Sequence, residues 1–277
     1  MALEAEQRLA CRVLTSLRNP AVKLVRALSL RKTRRKSGLF VAEGMSIVAT
    51  AMRYGWVPRL ILMSAERTES SWIRTKLINW AIAHGVICLA LSEPVFAKVA
   101  TRNNPQDLLA VFVQRWGVPP IGPGRTELWI ALENIRDPGN LGTIIRTIDA
   151  TGIGGICLIG SCCDPYAREA VRASMGSIFH VPLVRMDKDT FLQWRTTWPG
   201  DVIGTHLSAR EDFRQRYKAP VLLLMGSEGS GLSAAMAKVC TRLVRIPMVG
   251  HIDSLNLAIA TALMVYEIRR DALFLQD

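Results

Sequence analysis

The chain has 277 residues, 49% of them hydrophobic, and a mean hydropathy of +0.20, which allows sizeable cores and excludes a disordered chain. We find no apolar run long enough to cross a membrane and no signal-peptide core, and we expect a cytoplasmic protein. The net charge is +12: residues 1–116 carry 18 basic and 7 acidic side chains, against 17 and 16 in residues 117–277. This concentration of basic residues in the first part of the chain predicts a polyanionic partner, because phosphate neutralisation releases counterions.

Metal and hydrolytic chemistry find no support in the sequence. The cysteines show no Cys-x-x-Cys spacing and no histidine at zinc-ligand separation, so we expect reduced thiols and no metal site. They are Cys11, Cys88, Cys157, Cys162, Cys163 and Cys240. None of the four histidines belongs to a motif with a serine or cysteine nucleophile.

The first 115 residues predict a small, basic α/β domain. A helical segment over residues 1–20 is expected to end at Asn19-Pro20. The basic run RKTRRK at 31–36 predicts either a solvated segment or a flexible phosphate-binding arm. Alternating elements follow: strands at 38–44, 60–63, 86–91 and 108–113, and helices at 45–54, 71–83 and 92–99. A linker at 116–126, rich in proline and glycine, precedes the second domain at 127–277.

The second domain predicts a mainly parallel sheet covered by helices on both faces. Strands are expected at 128–132, 156–159, 181–184, 202–205, 221–225 and 243–246, and helices at 141–150, 165–173, 188–195 and 255–268. The last helix is apolar almost all round, so we expect it to be buried on most faces, with Asp253 or Ser254 as its cap. Polar loops at 134–140, 226–231 and 248–254 follow strands and are expected to converge at one edge of the sheet.

Two segments suggest a binding site. GSEGSGLS at 226–233 resembles a phosphate-binding loop, but Leu232 replaces the lysine and Glu228 adds a negative charge, which argues against a nucleotide triphosphatase. An uncharged or cationic ligand held by backbone groups fits better; an ordinary glycine turn is the alternative. Arg146, among apolar neighbours, either binds a phosphate or forms a structural pair with Asp149 or Glu133. Arg172 has the same two interpretations.

Three segments in fixed order carry a family resemblance. ENIRDPGNLGTIIRTIDATG, LLLMGSEGSGLS and IPMVGHIDSLNLAIATALMVYE resemble the signature motifs of the SpoU (TrmH-like) branch of the SPOUT RNA methyltransferases, over about 127–270. Residues 11–113 resemble the small α/β domain, related to RNA-binding ribosomal proteins, that often precedes this catalytic domain. The resemblance implies a SPOUT-type α/β domain with a deep trefoil knot, S-adenosylmethionine bound in the knot, and a homodimer in which the last helix is partly covered by the second subunit.

The implied reaction is methyl transfer from S-adenosylmethionine to a ribose 2′-hydroxyl of structured RNA. Ribosomal RNA is favoured because of the added domain. The alternatives are transfer RNA, methylation of ribosomal RNA that confers antibiotic resistance, and a non-catalytic RNA-binding protein.

The resemblance also implies a set of site residues, and it implies no bound metal. The catalytic set is Asn140, Arg146, Glu228, Ser254 and Asn256. We assign Arg146 to gripping a phosphate and assisting deprotonation without being the base, because an arginine loses its proton only above about pH 12. The expected cofactor contacts are Thr205, His206, Met225, Gly226, Ser227, Gly229, Ile246, Met248, Ser254 and Leu255. The expected RNA contacts are Arg31, Lys32, Arg34, Arg35, Lys36 and Arg172.

Overall fold

The computed structural model describes residues 13–66, 72–101, 108–124 and 127–273. The chain forms two compact units. The first contains the described residues up to Gln114 together with Tyr166–Phe179, and the second contains Arg115–Pro165 and the described residues from His180 onward. The stretch 166–179 therefore packs within the first unit, although its position along the chain lies inside the predicted second domain. None of the described helices is long and apolar enough to cross a membrane.

The elements follow the chain in this order. Up to residue 113 they are α1 (Pro20–Ala27), α2 (Arg31–Ser37), β1 (Leu39–Glu43), α3 (Met45–Arg53), β2 (Leu60–Ser64), α4 (Trp72–Ala83), β3 (Ile87–Leu91), α5 (Glu93–Val99) and β4 (Leu108–Val113). From residue 128 they are β5 (Leu128–Glu133), α6 (Pro138–Ala150), β6 (Gly155–Ile159), α7 (Arg168–Ala173), a 3₁₀ turn (Ser177–Phe179), β7 (Leu183–Met186), α8 (Lys188–Arg195), β8 (Val202–Thr205), β9 (Glu211–Asp212), β10 (Val221–Met225), α9 (Ala234–Lys238), β11 (Arg242–Arg245) and α10 (Leu257–Arg269).

The beginning of the first unit differs from the sequence prediction. Residues 1–12 lie outside the described residues, and residues 13–19 are not helical. Helix α1 instead begins at Pro20, where Asn19 Oδ1 accepts a hydrogen bond from the backbone N of Ala21 at 2.9 Å. Proline is favourable at the start of a helix because the N–H groups of the first turn have no partner within the helix, so the missing N–H of proline costs no hydrogen bond. The basic run is also helical, as α2, which is capped by Gly38 with φ 66°. Of the two interpretations of this run, the flexible arm is wrong, and Arg31, Lys32, Arg35 and Lys36 are solvent-exposed.

The four described strands of the first unit form one sheet with the order β1-β4-β2-β3. β4 is antiparallel to both of its neighbours, and β2 is parallel to β3. Side chains alternate between the two faces: Val41 and Val111 join the core with helices α1 and α5, whereas Phe40 and Phe112 belong to an aromatic cluster. Tyr166 and Phe179 complete this cluster with Trp56, whose Nε1 donates to the carbonyl of Phe179 at 2.8 Å. These contacts hold both ends of the stretch 166–179 in the first unit.

The second unit has a sheet of seven described strands in the order β7-β6-β5-β10-β8-β11-β9, with every neighbouring pair parallel. The predicted mainly parallel α/β architecture is confirmed. Strand β7 begins at Leu183, two residues later than expected, because Pro182 has no N–H to donate to a ladder. The short elements β9 and α9 and the 3₁₀ turn were not predicted. Strands β6 and β7 lie on one side of β5, whereas β10 and the other strands lie on its opposite side. The order of the strands in the sheet therefore reverses next to β5.

Helix α10 is less buried than its composition predicts. Leu257, Met264 and Val265 are buried, but Ile259 and Tyr266 are 53% and 54% exposed. The expectation that most faces of this helix are buried is therefore wrong for a single copy of the chain. No described segment covers the face that carries Ile259 and Tyr266. The helix cap also differs from the prediction. It is Asn256, not Asp253 or Ser254.

The described cysteines are free thiols. Burial raises the pKa of Cys88 to about 11 and the pKa values of Cys157 and Cys240 to about 12. These three side chains therefore stay protonated near neutral pH. Cys157 lies in the core of the second unit and Cys240 packs against it, where their thiols serve as small apolar groups. Cys11 lies outside the described residues.

Candidate functional site

Three loops of the second unit meet at the carboxyl ends of the parallel strands. Asn256 Nδ2 donates to Asn140 Oδ1 at 2.9 Å, and Asn140 Nδ2 donates to Glu228 Oε1 at 3.1 Å. The three residues follow β11, β5 and β10 respectively. The predicted convergence of the loops is confirmed, and a continuous chain of side-chain hydrogen bonds joins them. We call these three residues the amide–carboxylate chain.

Local sequence explains why both asparagine side chains are available. Helix α6 begins at Pro138, three residues earlier than predicted, and its N-cap is Asp137, whose Oδ1 accepts from the backbone N of Asn140 at 2.6 Å. The side chain of Asn140 is therefore not needed as the cap. Asn256 uses its two side-chain atoms differently: Oδ1 accepts from the backbone N of Ala258 at 2.9 Å, which leaves Nδ2 to donate to Asn140.

A cavity of about 460 Å³ lies among the loops that follow β8, β10 and β11. All ten predicted cofactor contacts line it: Thr205, His206, Met225, Gly226, Ser227, Gly229, Ile246, Met248, Ser254 and Leu255. Of the predicted catalytic residues, Glu228 and Ser254 line it, and Glu228 ties its wall to Asn140 and Asn256. The structure thus brings together four of the five residues predicted to be catalytic with the whole predicted cofactor set.

Further lining residues were not assigned by sequence reasoning. They are Leu207, Ser230, Gly231, Val244, Arg245, Asp253, Leu257 and Ala260. Ser230 and Gly231 lie within the glycine-rich turn, and Asp253 lies in the polar loop before α10, so their motifs contained a usable signal. Val244 and Ala260 carry no functional group, and only the fold reveals their position.

The turn after β10 forms a closely packed wall of the cavity. A Cβ placed on Gly226 would lie 1.9 Å from the carbonyl carbon of Gly231 and 2.1 Å from the backbone N of Leu232, so no larger residue fits. Ser227 and Gly231 exchange backbone hydrogen bonds of 3.2 and 3.0 Å, and the hydroxyls of Ser227 and Ser230 lie 2.8 Å apart. Gly231 has φ +63°, a conformation that favours glycine. The turn therefore presents backbone to the cavity in a fixed arrangement.

The charges of this cavity do not suit a phosphorylated ligand. The carboxylates of Glu228 and Asp253 line it together with the guanidinium of Arg245, whose Nη1 donates to the carbonyl of Leu207 at 3.4 Å. Met225, Ile246 and Leu257 add apolar surface. This combination favours a mainly apolar ligand that is neutral or carries a positive charge, as the sequence predicted for this turn.

Arg146 projects from α6 as an exposed side chain. The two structural pairings considered from the sequence are not formed: Asp149 Oδ1 lies 2.5 Å from His180 Nδ1, and Glu133 Oε2 accepts from the backbone N of Ser233 at 2.8 Å. Within the part of the chain that the structure describes, the Arg146 guanidinium has no hydrogen bond or ion pair, and none joins it to the amide–carboxylate chain. Its charge and its fork are available to an external anion.

The residues predicted to contact RNA belong to the first unit. Arg31, Lys32, Arg35 and Lys36 are exposed on α2, and Arg172 is exposed on α7.

Arg34 is the exception, since it is only 4% exposed. Its Nη1 donates to the carbonyls of Leu28 and Ser29 at 2.9 and 2.7 Å, where α1 has just ended. The assignment of Arg34 to RNA contact does not agree with this geometry. The guanidinium instead satisfies carbonyls at a helix C-terminus, where a positive charge is favourable.

Comparison with known proteins identifies the family. The SpoU rRNA Methylase family model matches residues 127–266, and an MRM3-like substrate binding domain matches residues 19–110. An uncharacterized tRNA/rRNA methyltransferase of Synechocystis is 34% identical over 261 residues, which cover 93% of each chain. The 23S rRNA (guanosine(2553)-2'-O)-methyltransferase RlmP of Bacillus subtilis is 29% identical, over 92% of this chain and 98% of its own. An AdoMet-bound rRNA methyltransferase from Sinorhizobium meliloti superposes with a TM-score of 0.86 at 40% identity, covering 95% of this chain and 99% of that one. The family model matches half of the chain, and the relatives match nearly all of it. The chain therefore belongs to the SpoU rRNA methylase family.

Proposed function

We propose that this chain transfers the methyl group of S-adenosylmethionine to a ribose 2′-hydroxyl of ribosomal RNA. The observation that carries the proposal is the amide–carboxylate chain at the wall of a glycine-walled cavity, where Asn256, Asn140 and Glu228 bring three separate motifs into contact. The similarity to RlmP supports the 2′-oxygen and ribosomal RNA, and the similarity to the Sinorhizobium meliloti protein supports the methyl donor.

The residues of the cavity fit S-adenosylmethionine. Its volume of about 460 Å³ falls within the roughly 300–1,000 Å³ of small-molecule sites. The closely packed turn at Gly226 offers backbone groups to the amino-acid and adenosine ends, and Met225, Ile246 and Leu257 offer apolar surface. The carboxylates of Glu228 and Asp253 favour a ligand with a sulfonium charge. When bound, this cofactor supplies an electrophilic methyl group.

The protein's own residues act by position and charge. A ribose hydroxyl is a weak nucleophile near neutral pH, so holding it in line and favouring loss of its proton is the main task of the site. Arg146, exposed and unpaired among the described residues, grips the phosphate beside the reacting nucleotide. Asn140 and Asn256 orient the ribose, Glu228 fixes the second loop, and Ser254 seats the ligand.

The larger organisation is part of the same proposal. Residues 1–115 bind the RNA, residues 116–126 connect, and residues 127–277 carry the catalytic domain with a trefoil knot in its backbone, as the family resemblance implies. A homodimer is supported by an exposed apolar stripe on and before α10, in which Leu255, Ile259, Leu263 and Tyr266 are 39–54% exposed. This spacing places them on one face of the helix, where a second copy would remove them from water.

The activity is tested by incubating the full chain with isotopically labelled S-adenosylmethionine and, separately, with ribosomal RNA and transfer RNA. Label on a 2′-O-methylated nucleotide of ribosomal RNA is expected. Label on transfer RNA alone would correct the substrate, and label on protein or DNA but not on RNA would overturn the reaction. Calorimetry with S-adenosylmethionine separates an enzyme from a pure RNA-binding protein, since the latter would give no heat of binding.

The dimer is tested by light scattering of the purified chain over a range of concentrations. The mass of two copies is expected, and Ile259→Asp together with Leu263→Asp is expected to give the mass of one. A wild-type chain that stays monomeric at micromolar concentration and above would contradict this part of the proposal.

A further inference from the structure

We propose that a cationic cavity in the first unit binds the phosphodiester backbone of the RNA substrate. The inference rests on the proposed function and goes beyond it, because it assigns RNA binding to residues outside the basic run at 31–36. The cavity, of about 450 Å³, is lined by Lys23, Arg26, Ala27, Ser29, Lys98, Val99, Ala100, Thr101 and Arg168. Four of these residues are basic and none is acidic. We call it the cationic cavity.

The four basic side chains come from three elements that are distant in sequence. Lys23 and Arg26 lie three residues apart on α1, and so share one face of that helix. Lys98 lies in the last turn of α5, and Arg168 begins α7. Arg168 belongs to the stretch 166–179, so the cavity is completed by a segment from within the region matched by the methylase family model. Folding therefore builds a concentration of charge that no basic run encodes.

Arg168 is held firmly in the wall of the cavity. Its Nη1 donates to the carbonyl of Val99 at 2.6 Å, and its Nη2 donates to the carbonyl of Val25 at 3.0 Å. Both carbonyls lie in final helical turns, where backbone acceptors lack partners within the helix. Burial lowers the pKa of this arginine, and the nearby carboxylate of Glu43 opposes that effect. The result is a fixed positive charge.

The other three basic side chains have no protein partner in the described ranges. Lys23, Arg26 and Lys98 are exposed, and the structure gives their side chains no hydrogen bond or ion pair with a described residue. The carboxylates of Glu43 and Glu169 already interact with Arg168. No described carboxylate pairs with Lys23, Arg26 or Lys98, and an anion in the cavity would reduce the repulsion among these three charges. The repeating phosphates of RNA are anions of this kind, and contacts to them are sequence-independent.

Stabilisation of helix ends alone does not explain the arrangement. Arg26 and Lys98 stand in the last turns of α1 and α5, where a positive charge favours the helix dipole. However, Arg168 already satisfies a carbonyl at each of those ends, and Lys23 lies in the first half of α1. Stabilisation of helix ends therefore does not explain why Lys23 lines the cavity, whereas a phosphate-binding site would use all four of its basic side chains.

The test compares two triple variants of the full chain. Lys23→Ala, Arg26→Ala and Lys98→Ala remove three charges from the cationic cavity. Arg53→Ala, Arg59→Ala and Lys76→Ala remove three exposed charges elsewhere in the same unit.

Filter binding to purified ribosomal RNA is measured from low to high salt. We expect the cavity variant to bind at least 10-fold more weakly, and its slope of log K against log salt to fall by roughly 2–3, because each lost phosphate contact contributes about 0.7–0.9. The matched variant is expected to lose less than 3-fold. Equal losses in the two variants would overturn the proposal.

Two further measurements keep the outcome interpretable. Lys23→Arg with Lys98→Arg preserves charge and is expected to retain RNA affinity. A lower Tm for the alanine cavity variant with an unchanged salt slope would assign the cations to the fold alone, and would also overturn the proposal. Calorimetry with S-adenosylmethionine is expected to give wild-type affinity for both triple variants. If the wild-type chain did not bind S-adenosylmethionine, the proposed function would fail, whereas the contrast in RNA binding would still judge the cavity separately.

Discussion

Two cavities of nearly equal size, one in each unit, are lined by different chemical groups. The cavity of the second unit measures about 460 Å³ and the cationic cavity of the first unit about 450 Å³. The former is walled by the glycine-rich turn and apolar side chains and contains the carboxylates of Glu228 and Asp253. The latter contains four basic residues and no acidic one. Volume therefore does not distinguish a small-molecule site from a polyanion site; the type and fixation of the lining groups do.

The way in which each site is built differs as well. In the second unit, loops that follow neighbouring parallel strands meet at one edge, and hydrogen bonds between side chains join them. In the first unit, helix ends and one segment that returns from later in the chain surround the cavity. Among its four basic side chains, Arg168 alone hydrogen-bonds to described backbone carbonyls. The first arrangement suits reactive atoms that need precise placement. The second suits an RNA strand, whose repeating phosphates can be contacted in several registers.

The largest effect that would separate the two sites is expected for Arg146→Ala. The side chain is exposed and, in the described part of the chain, unpaired, and it does not line the cavity, so its removal should disturb neither the fold nor the cavity. Loss of a positioning group is expected to lower kcat by about 100-fold or more. Methyl transfer from labelled S-adenosylmethionine to ribosomal RNA measures this. The affinity for S-adenosylmethionine and the oligomeric mass are expected to stay at wild-type values.

A conservative variant sharpens the same result. Arg146→Lys keeps the charge but lacks the two-pronged geometry of a guanidinium, so we expect its activity to lie between those of wild type and Arg146→Ala. Near-wild-type turnover by Arg146→Ala would remove this residue from the proposed mechanism. A parallel loss of cofactor affinity would instead mean that it supports the cavity.

The next effect in size is expected for Gly226→Ala. The added Cβ would lie 1.9 Å from the carbonyl carbon of Gly231, so the turn must move and the wall of the cavity must change. We expect S-adenosylmethionine to bind at least 10-fold more weakly by calorimetry, with RNA affinity unchanged, because the cationic cavity is built from other elements. Gly250→Ala is the matched control: its Cβ would meet nothing within 4 Å, and affinity is expected to stay within 2-fold of wild type. Equal behaviour of the two variants would contradict the role of the turn.

Local sequence patterns predicted most of the second unit and little of the cationic cavity. Strands such as Val202–Thr205 and Val221–Met225 were predicted to the residue, since continuous apolar runs between polar turns mark buried parallel strands. The convergence of three loops followed from the rule that carboxyl ends of parallel strands share an edge. The motif positions of Asn140, Glu228 and Asn256 came from the family resemblance, and the structure added the hydrogen bonds between them.

What the sequence could not supply depends on contacts between distant segments. Nothing around Arg168 indicates that its stretch packs with the first unit, because Phe40 and Trp56, which contact Tyr166 and Phe179, lie more than a hundred residues earlier. Arg34, within a basic run, was expected to be solvated, yet it is buried against carbonyls just beyond α1. Exposure of Ile259 on an apolar helix was likewise invisible to periodicity. Composition reports that a residue is apolar, but not which surface covers it.

The smallest of the expected effects tests how one residue of the amide–carboxylate chain combines two tasks. Asn256 caps α10 through Oδ1 and donates to Asn140 through Nδ2. Asn256→Ala removes both functions and is expected to lower the free energy of unfolding by about 1 kcal/mol, the usual contribution of an N-cap, in addition to lowering kcat. Asn256→Asp keeps an oxygen for the cap, so its stability should stay near wild type. An ionised aspartate cannot donate to Asn140, so kcat should still fall. Urea unfolding and methyl-transfer assays on the same preparations measure the two quantities. If Asn256→Asp kept wild-type turnover, the hydrogen bond to Asn140 would have no part in the reaction and Asn256 would be only a helix cap.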